Sequence, residues 1–215
     1  ILDYEKNLDN KNFFFKKDSY FKKKNNVCFL IGFPRSGTTL LDTILRSHPD
    51  IDVIEEKPII NSLERIIKTQ LKCKLSELYK LTEPEVENLR EYYLENVLKL
   101  SDKKNSRIII DKFPFQTVSL PLINFIFPEA KIIFAHRHPY DTVLSCFQQC
   151  FEPNNAMANL RSLRESSEIY DLTMKMWVRY KENLNLNFTM SKYESLIENF
   201  EVQTKKIMAF LEIEW

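Results

Sequence analysis

Residues 29–51 read FLIGFPRSGTTLLDTILRSHPDI, and the prediction of the fold starts from them. This stretch contains both glycines of the 215-residue chain, Gly32 and Gly37. Because glycine permits tight turns and close approach of a ligand to the backbone, its restriction to one place marks a special turn. The apolar run VCFLI predicts a buried strand before the turn, and TTLLDTILRSH predicts a helix after it. Together they predict an anion cradle, since turn N–H groups and the helix N-terminus point to one spot.

The spacing from Gly32 to Gly37 is that of the nucleotide-binding P-loop, with one departure. Thr38 occupies the position of the P-loop lysine, and a cation appears earlier as Arg35. The loop therefore lacks the charge that P-loop ATPases place between the β- and γ-phosphates. Besides backbone N–H groups and Arg35, its possible phosphate ligands are three hydroxyls, those of Ser36, Thr38 and Thr39.

Composition restricts the class of protein. The chain is 44% hydrophobic and 28% charged, which is typical of one globular domain. Its net charge of +1 argues against a general nucleic-acid binder, and no apolar stretch approaches the length of a membrane span. The start of the chain lacks the charged segment followed by an apolar segment that is typical of a signal peptide. Cys146 and Cys150 have no second pair for zinc, so we expect free thiols in a reducing, cytoplasmic compartment and no metal site.

Strand patterns alternate with helix patterns along most of the chain. This alternation predicts an α/β fold: a three-layer P-loop-like domain with a central parallel sheet flanked by helices. We expect residues 1–26 to form an N-terminal extension and residues 27–215 to form the domain. Two helix patterns within 57–105 interrupt the alternation and predict a helical insertion beside the cleft, and residues 195–213 predict a final helix. The predicted strands are 27–33, 51–56, 107–111, 130–136 and 185–194.

Ligands of open parallel sheets bind beyond the carboxyl ends of the strands. The first predicted strand ends in the glycine loop. The following strands end, in order, in Glu55 and Glu56, in Asp111 and Lys112, in His136, Arg137 and His138, and in Lys192, Tyr193 and Glu194. One cleft would therefore contain an anion-binding loop, further cations and a carboxylate. These are the side chains and backbone groups needed to move a charged group from a nucleotide to an acceptor.

A family resemblance agrees with this interpretation. The ordered motifs FPRSGTTLLDTILRSHPDI, EE, DKFPF, AHRHPYDTVLSCF and KYESL…FLEIEW resemble the PAPS-dependent sulfotransferases. They are nearest the tyrosylprotein sulfotransferase-like group and bacterial enzymes associated with tetratricopeptide repeats. The resemblance covers residues 27–215 and favours a bacterial protein. It implies PAPS as sulfuryl donor, PAP as product, no metal, and an acceptor hydroxyl on a small molecule, a sugar or a tyrosine peptide.

The resemblance also implies which residues bind the donor. Arg137 and Ser145 would hold the 3′-phosphate, and Tyr193 would contact the nucleotide. The 5′-phosphosulfate would be held by Arg35, Ser36, Gly37, Thr38 and Thr39. Gln149 stands where relatives carry a further basic contact to the 3′-phosphate.

The catalytic roles follow from the same resemblance. Glu56 aligns with the base that takes the proton of the acceptor hydroxyl, and its neighbour Glu55 stays an alternative. Lys112 and Arg35 would stabilise charge on the transferring group and on the leaving phosphate. In-line transfer would then depend on positioning and electrostatics.

Some features leave other functions open. The family continues past FLEIEW into a basic loop over the nucleotide, whereas the sequence stops at Trp215, so we expect this tail to be absent and turnover to be weak. One alternative is a P-loop kinase that uses ATP and Mg²⁺, with Asp111 as metal ligand on a Walker B-like strand. Another is a truncated, non-catalytic nucleotide-binding domain.

Overall fold

The computed structural model describes residues 2–7, 26–103, 105–149 and 160–215. Its centre is a sheet of five strands, β1 (Val27–Gly32), β2 (Ile51–Glu55), β3 (Ile108–Lys112), β4 (Lys131–His136) and β5 (Asn187–Lys192). The strands are all parallel and lie in the order β2-β3-β1-β4-β5. The predicted α/β fold with a central parallel sheet is confirmed.

Nine α-helices lie within the described ranges, of which the first precedes the sheet and the others connect or follow its strands: α1 (Leu2–Glu5), α2 (Thr38–Arg46), α3 (Ile59–Thr69), α4 (Glu83–Leu100), α5 (Leu120–Ile126), α6 (Pro139–Gln148), α7 (Leu163–Asn183), α8 (Tyr193–Glu198) and α9 (Phe200–Leu211). Two short 3₁₀ helices occupy Leu75–Lys80 and Pro114–Thr117. No helix in this part of the chain is long and apolar enough to cross a membrane.

The predicted single helix over 195–213 is wrong in one respect, because two helices occupy this region. The break is at Asn199, whose φ of −134° and ψ of 52° are not helical. An asparagine side chain competes for backbone hydrogen bonds and therefore favours helix ends over helix interiors. The sequence contains no proline or glycine here, which is why the break was not foreseen.

The sheet separates two apolar cores. Side chains of a strand alternate between its faces, so Phe29 and Ile31 of β1 join one cluster while Cys28 and Leu30 join the other. The first cluster is covered mainly by α3, α4, α5 and α7, and the second by α2 and α9. All residues of β1 and the four central residues of β4 are buried, which is typical of parallel sheets, whereas most residues of the edge strand β5 are partly or fully exposed.

The segment 57–105 builds much of the first core. Its helix α4 begins in a capping box, in which the Thr82 amide donates to Glu85 Oε2 over 2.7 Å. Further along α4, the ring of Tyr93 lies 5.7 Å from that of Phe29 and 4.8 Å from that of Phe127. The placement of this segment beside the acceptor stays a prediction.

The first residues of the chain also pack on this face. Tyr4 of α1 is buried, and its hydroxyl donates to Glu64 Oε1 of α3 over 2.7 Å. Ser119, just before α5, donates to the same oxygen over 2.8 Å. The rest of the predicted N-terminal extension, residues 8–25, lies outside the described residues.

Candidate active site

The glycine loop joins β1 to α2 and packs tightly against two other elements. Gly37 precedes α2 with a φ of 91°, which favours glycine. A Cβ atom there would lie 2.5 Å from Cδ2 of Tyr193, and one on Gly32 would lie 2.3 Å from the carbonyl oxygen of Ala135. Neighbouring atoms therefore leave no room for a side chain at either glycine, and the loop packs directly on Tyr193.

Helix α6 lies across the loop. Arg35 is exposed and has a left-handed φ of 68°, and its Nε donates to Ser145 Oγ of α6 over 3.0 Å. The next residue of α6, Cys146, is buried, and its thiol contacts the Pro34 carbonyl oxygen at 3.3 Å. Burial raises the pKa of this thiol to about 12, so it is a packing group. The structure thus brings Arg35 and Ser145, predicted to bind opposite ends of the donor, into contact.

Buried polar atoms in and beside the loop have no hydrogen-bond partner in the described structure. They include Ser36 Oγ inside the loop, Nε of Arg137 just after β4, and Oε2 of Glu194, whose other carboxylate oxygen binds the His138 amide. The Arg137 guanidinium lies 4.7 Å from the centre of the Tyr193 ring, the same ring that contacts Gly37. Thr38 is buried at the start of α2, and Thr39 is exposed.

Glu194 fixes the turn beside Arg137. Its Oε1 accepts a hydrogen bond of 2.8 Å from the amide of His138. Burial alone would raise the pKa of the Glu194 carboxyl, but hydrogen bonds from backbone amides and nearby cations hold it below its usual value. Desolvation lowers the pKa of the half-buried His136. Within the described ranges, no group of three or more His, Cys, Asp or Glu side chains could hold a metal ion.

A second group of charges lies at the ends of β2 and β3. The Lys112 side chain is fully buried, and its Nζ lies 2.7 Å from Glu55 Oε1 and 3.0 Å from Glu56 Oε1. Both glutamate side chains are about half exposed, at 52% and 48%. The hydrogen bond from Lys112 is the main cause that lowers the pKa of Glu55. The predicted base and the predicted charge-stabilising lysine are therefore in direct contact.

Sequence reasoning missed two charged residues of α2 beside Lys112. Asp42 Oδ2 lies 3.9 Å from Lys112 Nζ, and Arg46 holds Asp42 through two hydrogen bonds of 3.0 and 3.1 Å. Arg46 also approaches Glu55 Oε2, at 3.9 Å. Burial raises the pKa of Asp42. The available signal was the i, i+4 spacing of an acid and a base on the helix that follows the loop.

Asp111 lies on the opposite face of β3. Its side chain is fully buried, and Oδ2 accepts hydrogen bonds from the Tyr93 hydroxyl at 2.8 Å and from Gln116 Nε2 at 3.4 Å. Burial raises the pKa of Asp111 to about 6. This carboxyl is part of the first apolar core, so the magnesium ligand that a kinase would need is not presented to the loop.

Comparison with a family model shows the family of this chain. The sequence model of the sulfotransferase family matches residues 28–215. Among curated proteins, the chain is similar to protein-tyrosine sulfotransferase A of Caenorhabditis elegans, with 25% identity over 207 residues. That match covers 93% of this chain and 53% of the relative. The chain spans 25% to 55% of the length of the first three curated relatives that it matches.

Solved structures give the same result for the fold. The sulfotransferase domain of the Synechococcus PCC 7002 olefin synthase superposes with a TM-score of 0.60 at 18% identity, covering 94% of this chain and 78% of that domain. Mouse sulfotransferase SULT7A1, solved in complex with PAP, superposes with a TM-score of 0.50 at 21% identity, covering 99% of this chain and 64% of that protein.

Proposed function

Because this chain belongs to the sulfotransferase family, we propose that it transfers a sulfuryl group from PAPS to an acceptor hydroxyl. The observation that carries the proposal is the pair of buried polar atoms at the loop, Ser36 Oγ and Arg137 Nε, which have no hydrogen-bond partner in the described part of the chain. Buried donors are normally satisfied, so two unsatisfied donors, one in the loop and one just after β4, favour an anionic ligand at this edge of the sheet.

The donor would bind across the loop and the ends of β4 and α6. Arg137 and Ser145 would hold the 3′-phosphate and Tyr193 would contact the nucleotide, which the 4.7 Å approach of Arg137 to the Tyr193 ring supports. The 5′-phosphosulfate would lie on the loop, held by Arg35, Ser36, Gly37, Thr38 and Thr39. The positive end of α2 favours an anion at that position. PAP in the mouse structure supports the same class of ligand.

The chemical step is an in-line transfer that needs one base and two cations. The acceptor oxygen forms a bond to sulfur as the bond between sulfur and the bridging phosphate oxygen breaks, and that bond's electron pair stays on PAP. Glu56 accepts the proton of the acceptor hydroxyl. Lys112 and Arg35 stabilise the negative charge on the transferred group and the leaving phosphate. The 3.0 Å contact between Glu56 and Lys112 supports this division of roles.

The acceptor class follows from the relatives. The name of the Caenorhabditis elegans protein favours a peptide tyrosine, and a small alcohol, a phenol or a sugar are the alternatives that an acceptor screen separates. Cys28, Cys73 and Cys146 are free thiols, which supports the cytoplasm or another reducing compartment.

Calorimetric titration of adenosine 3′,5′-bisphosphate tests the donor class, with ADP and Mg²⁺ titrated in parallel. We expect the bisphosphate to bind without metal and Arg137→Ala to weaken it by about 10- to 100-fold, since a charged hydrogen-bond donor would be lost. Arg164→Ala is the matched control, because Arg164 is an exposed arginine on α7 paired only with Glu168 among the contacts described.

The outcomes separate the alternatives. Binding of ADP with Mg²⁺ and not of the bisphosphate would support a kinase and contradict the proposal. Binding of the bisphosphate together with sulfuryl transfer from PAPS to a tyrosine peptide or another hydroxyl would establish the enzyme. Binding with no transfer to any acceptor would favour the non-catalytic nucleotide-binding domain.

A further inference from the structure

We propose that Glu55 is a positioning residue, held between Lys112 and Arg46, which fixes the Lys112 ammonium for the transfer and leaves Glu56 as the base. This proposal rests on the proposed function, and it assigns different roles to two adjacent and chemically identical side chains. It also adds Arg46 to the residues that support the site.

The two carboxylates make unequal contacts. Glu55 is placed between two cations, with Oε1 2.7 Å from Lys112 Nζ and Oε2 3.9 Å from the Arg46 guanidinium. Glu56 contacts one cation in the described structure, through Oε1 at 3.0 Å from Lys112 Nζ. A carboxylate that is hydrogen-bonded to one cation and lies near a second is a poor proton acceptor, because both positive charges stabilise its ionised form. Glu56 keeps its second oxygen for the acceptor.

The contacts around Glu55 form a closed ring of alternating charge. Lys112 contacts Glu55, Glu55 approaches Arg46, Arg46 is hydrogen-bonded to Asp42, and Asp42 approaches Lys112 at 3.9 Å. Two cations and two anions cancel within the ring. Burying an ammonium as fully as Lys112 is costly unless its partners are held in place, and the ring provides fixed partners. Glu56 is a third carboxylate near Lys112, and the ring contains no cation that balances its charge.

Backbone geometry supports the same division. Glu55 is the last residue of β2 and pairs in register with Lys112 of β3, so the sheet itself sets the distance between them. Glu56 follows the strand with a left-handed φ of 49°, and its amide donates to the Lys112 carbonyl oxygen over 2.8 Å. A side chain held on paired strands is suited to positioning, whereas Glu56 lies just beyond the paired strand and reaches Lys112 through one oxygen.

A double-mutant cycle on the rate of transfer tests the proposal. We expect Glu55→Gln to lower kcat by about tenfold in the wild-type background and by less than about twofold in the Lys112→Met background, since residues that act through one another are not additive. Arg46→Gln should lower kcat by about threefold and add nothing to Glu55→Gln. Glu95→Gln, in an exposed i, i+4 pair on α4, is the matched control and should leave kcat unchanged.

The kinetic result can overturn the proposal in two ways. Equal losses in the two backgrounds would mean that Glu55 acts independently of Lys112. A loss in Glu55→Gln as large as that in Glu56→Gln, with no dependence on Lys112, would make Glu55 the base. Failure of the wild-type chain to transfer from PAPS to any acceptor would count against the proposed function instead.

Thermal unfolding tests the contact without any activity. Glu55→Gln should lower Tm by about 3–6 °C in the wild type, and should raise it or leave it unchanged in Lys112→Met, where three carboxylates remain without their central cation. A similar decrease in both backgrounds would contradict the proposal. Should Lys112→Met fail to fold, the same cycle between Arg46→Gln and Glu55→Gln applies, and additive decreases in Tm there would overturn it.

Discussion

Asp111 and Lys112 are adjacent, and both are fully buried charged residues at the end of one strand, yet they belong to different regions of the molecule. Lys112 lies on the α2 face among the carboxylates of Glu55 and Glu56. Asp111 lies on the opposite face beside the Tyr93 hydroxyl. The α2 face thus collects charges next to the loop, whereas the other face places one acid in an apolar core.

The difference shows how much a one-residue shift matters in a buried strand. Because side chains alternate between faces, only every second residue at a strand end can face the loop. An aspartate and a lysine at the end of β3 therefore have unrelated roles despite their proximity in sequence. Substitutions on one face at a time test whether the two faces have separate roles.

Lys112→Met should have the largest effect. The substitution removes the cation proposed to stabilise the transferring group, so we expect kcat for sulfuryl transfer to fall by about 10²- to 10³-fold. Steady-state kinetics with PAPS and the best acceptor measure this. The neighbouring substitution Asp111→Asn is the control and should change kcat by less than about threefold. Equal losses in the two variants would break the distinction between the faces.

Asp111→Asn should change the pH dependence of stability. The folded protein keeps the Asp111 proton up to about pH 6, whereas the unfolded chain releases it near its usual value. The native state therefore binds more protons between these values, and Asp111 makes the free energy of unfolding fall as pH rises through this window. We expect the wild type to lose about 2–3 kcal/mol relative to Asp111→Asn between pH 4 and pH 7.

Urea unfolding of both proteins at several pH values provides the measurement. Subtracting the variant's free energy of unfolding from that of the wild type at each pH removes the contributions of other titrating groups. Parallel curves for the two proteins would show that the Asp111 carboxyl is not perturbed, and would contradict its burial in the core.

Tyr93→Phe should have the smallest effect. It removes the hydroxyl that donates to Asp111 Oδ2, and we expect it to cost about 1–2 kcal/mol of unfolding free energy at neutral pH. Because this hydrogen bond lowers the pKa of Asp111, its loss should extend the pH-dependent decrease in stability above pH 6. Urea unfolding at neutral pH measures the loss of unfolding free energy, and the same experiment at several pH values measures the change in pH dependence. Tyr140→Phe, on the exposed start of α6, is the control.

Local patterns explain what could be predicted from the sequence. Apolar runs identified the strands, and the two glycines identified the loop, because both signals lie within a few residues. Parallel topology then placed Lys112 and Arg137 at the same edge of the sheet as the loop. The contact between Lys112 and the two glutamates follows from the pairing of β2 with β3.

Long-range packing explains what could not be predicted. Asp42 and Arg46 have the spacing of an ordinary surface pair, and only the docking of α2 turns them towards Lys112. The approach of Tyr193 to Gly37 joins residues far apart in the chain, and no local pattern encodes it. Strand alternation already implies that Asp111 and Lys112 lie on opposite faces, and only the packing of Tyr93 shows which face is the apolar core.

The left-handed backbone of Arg35 and Glu56 has a consequence for directed evolution. A residue other than glycine costs about 1 kcal/mol in this conformation, so glycine at either position would relax the fold while deleting a side chain to which the proposed transfer assigns a role. Selection for heat resistance alone would enrich such substitutions and yield robust, inactive proteins. Lys72 is also left-handed but lies away from the loop, so glycine there offers the same relief without this trade-off.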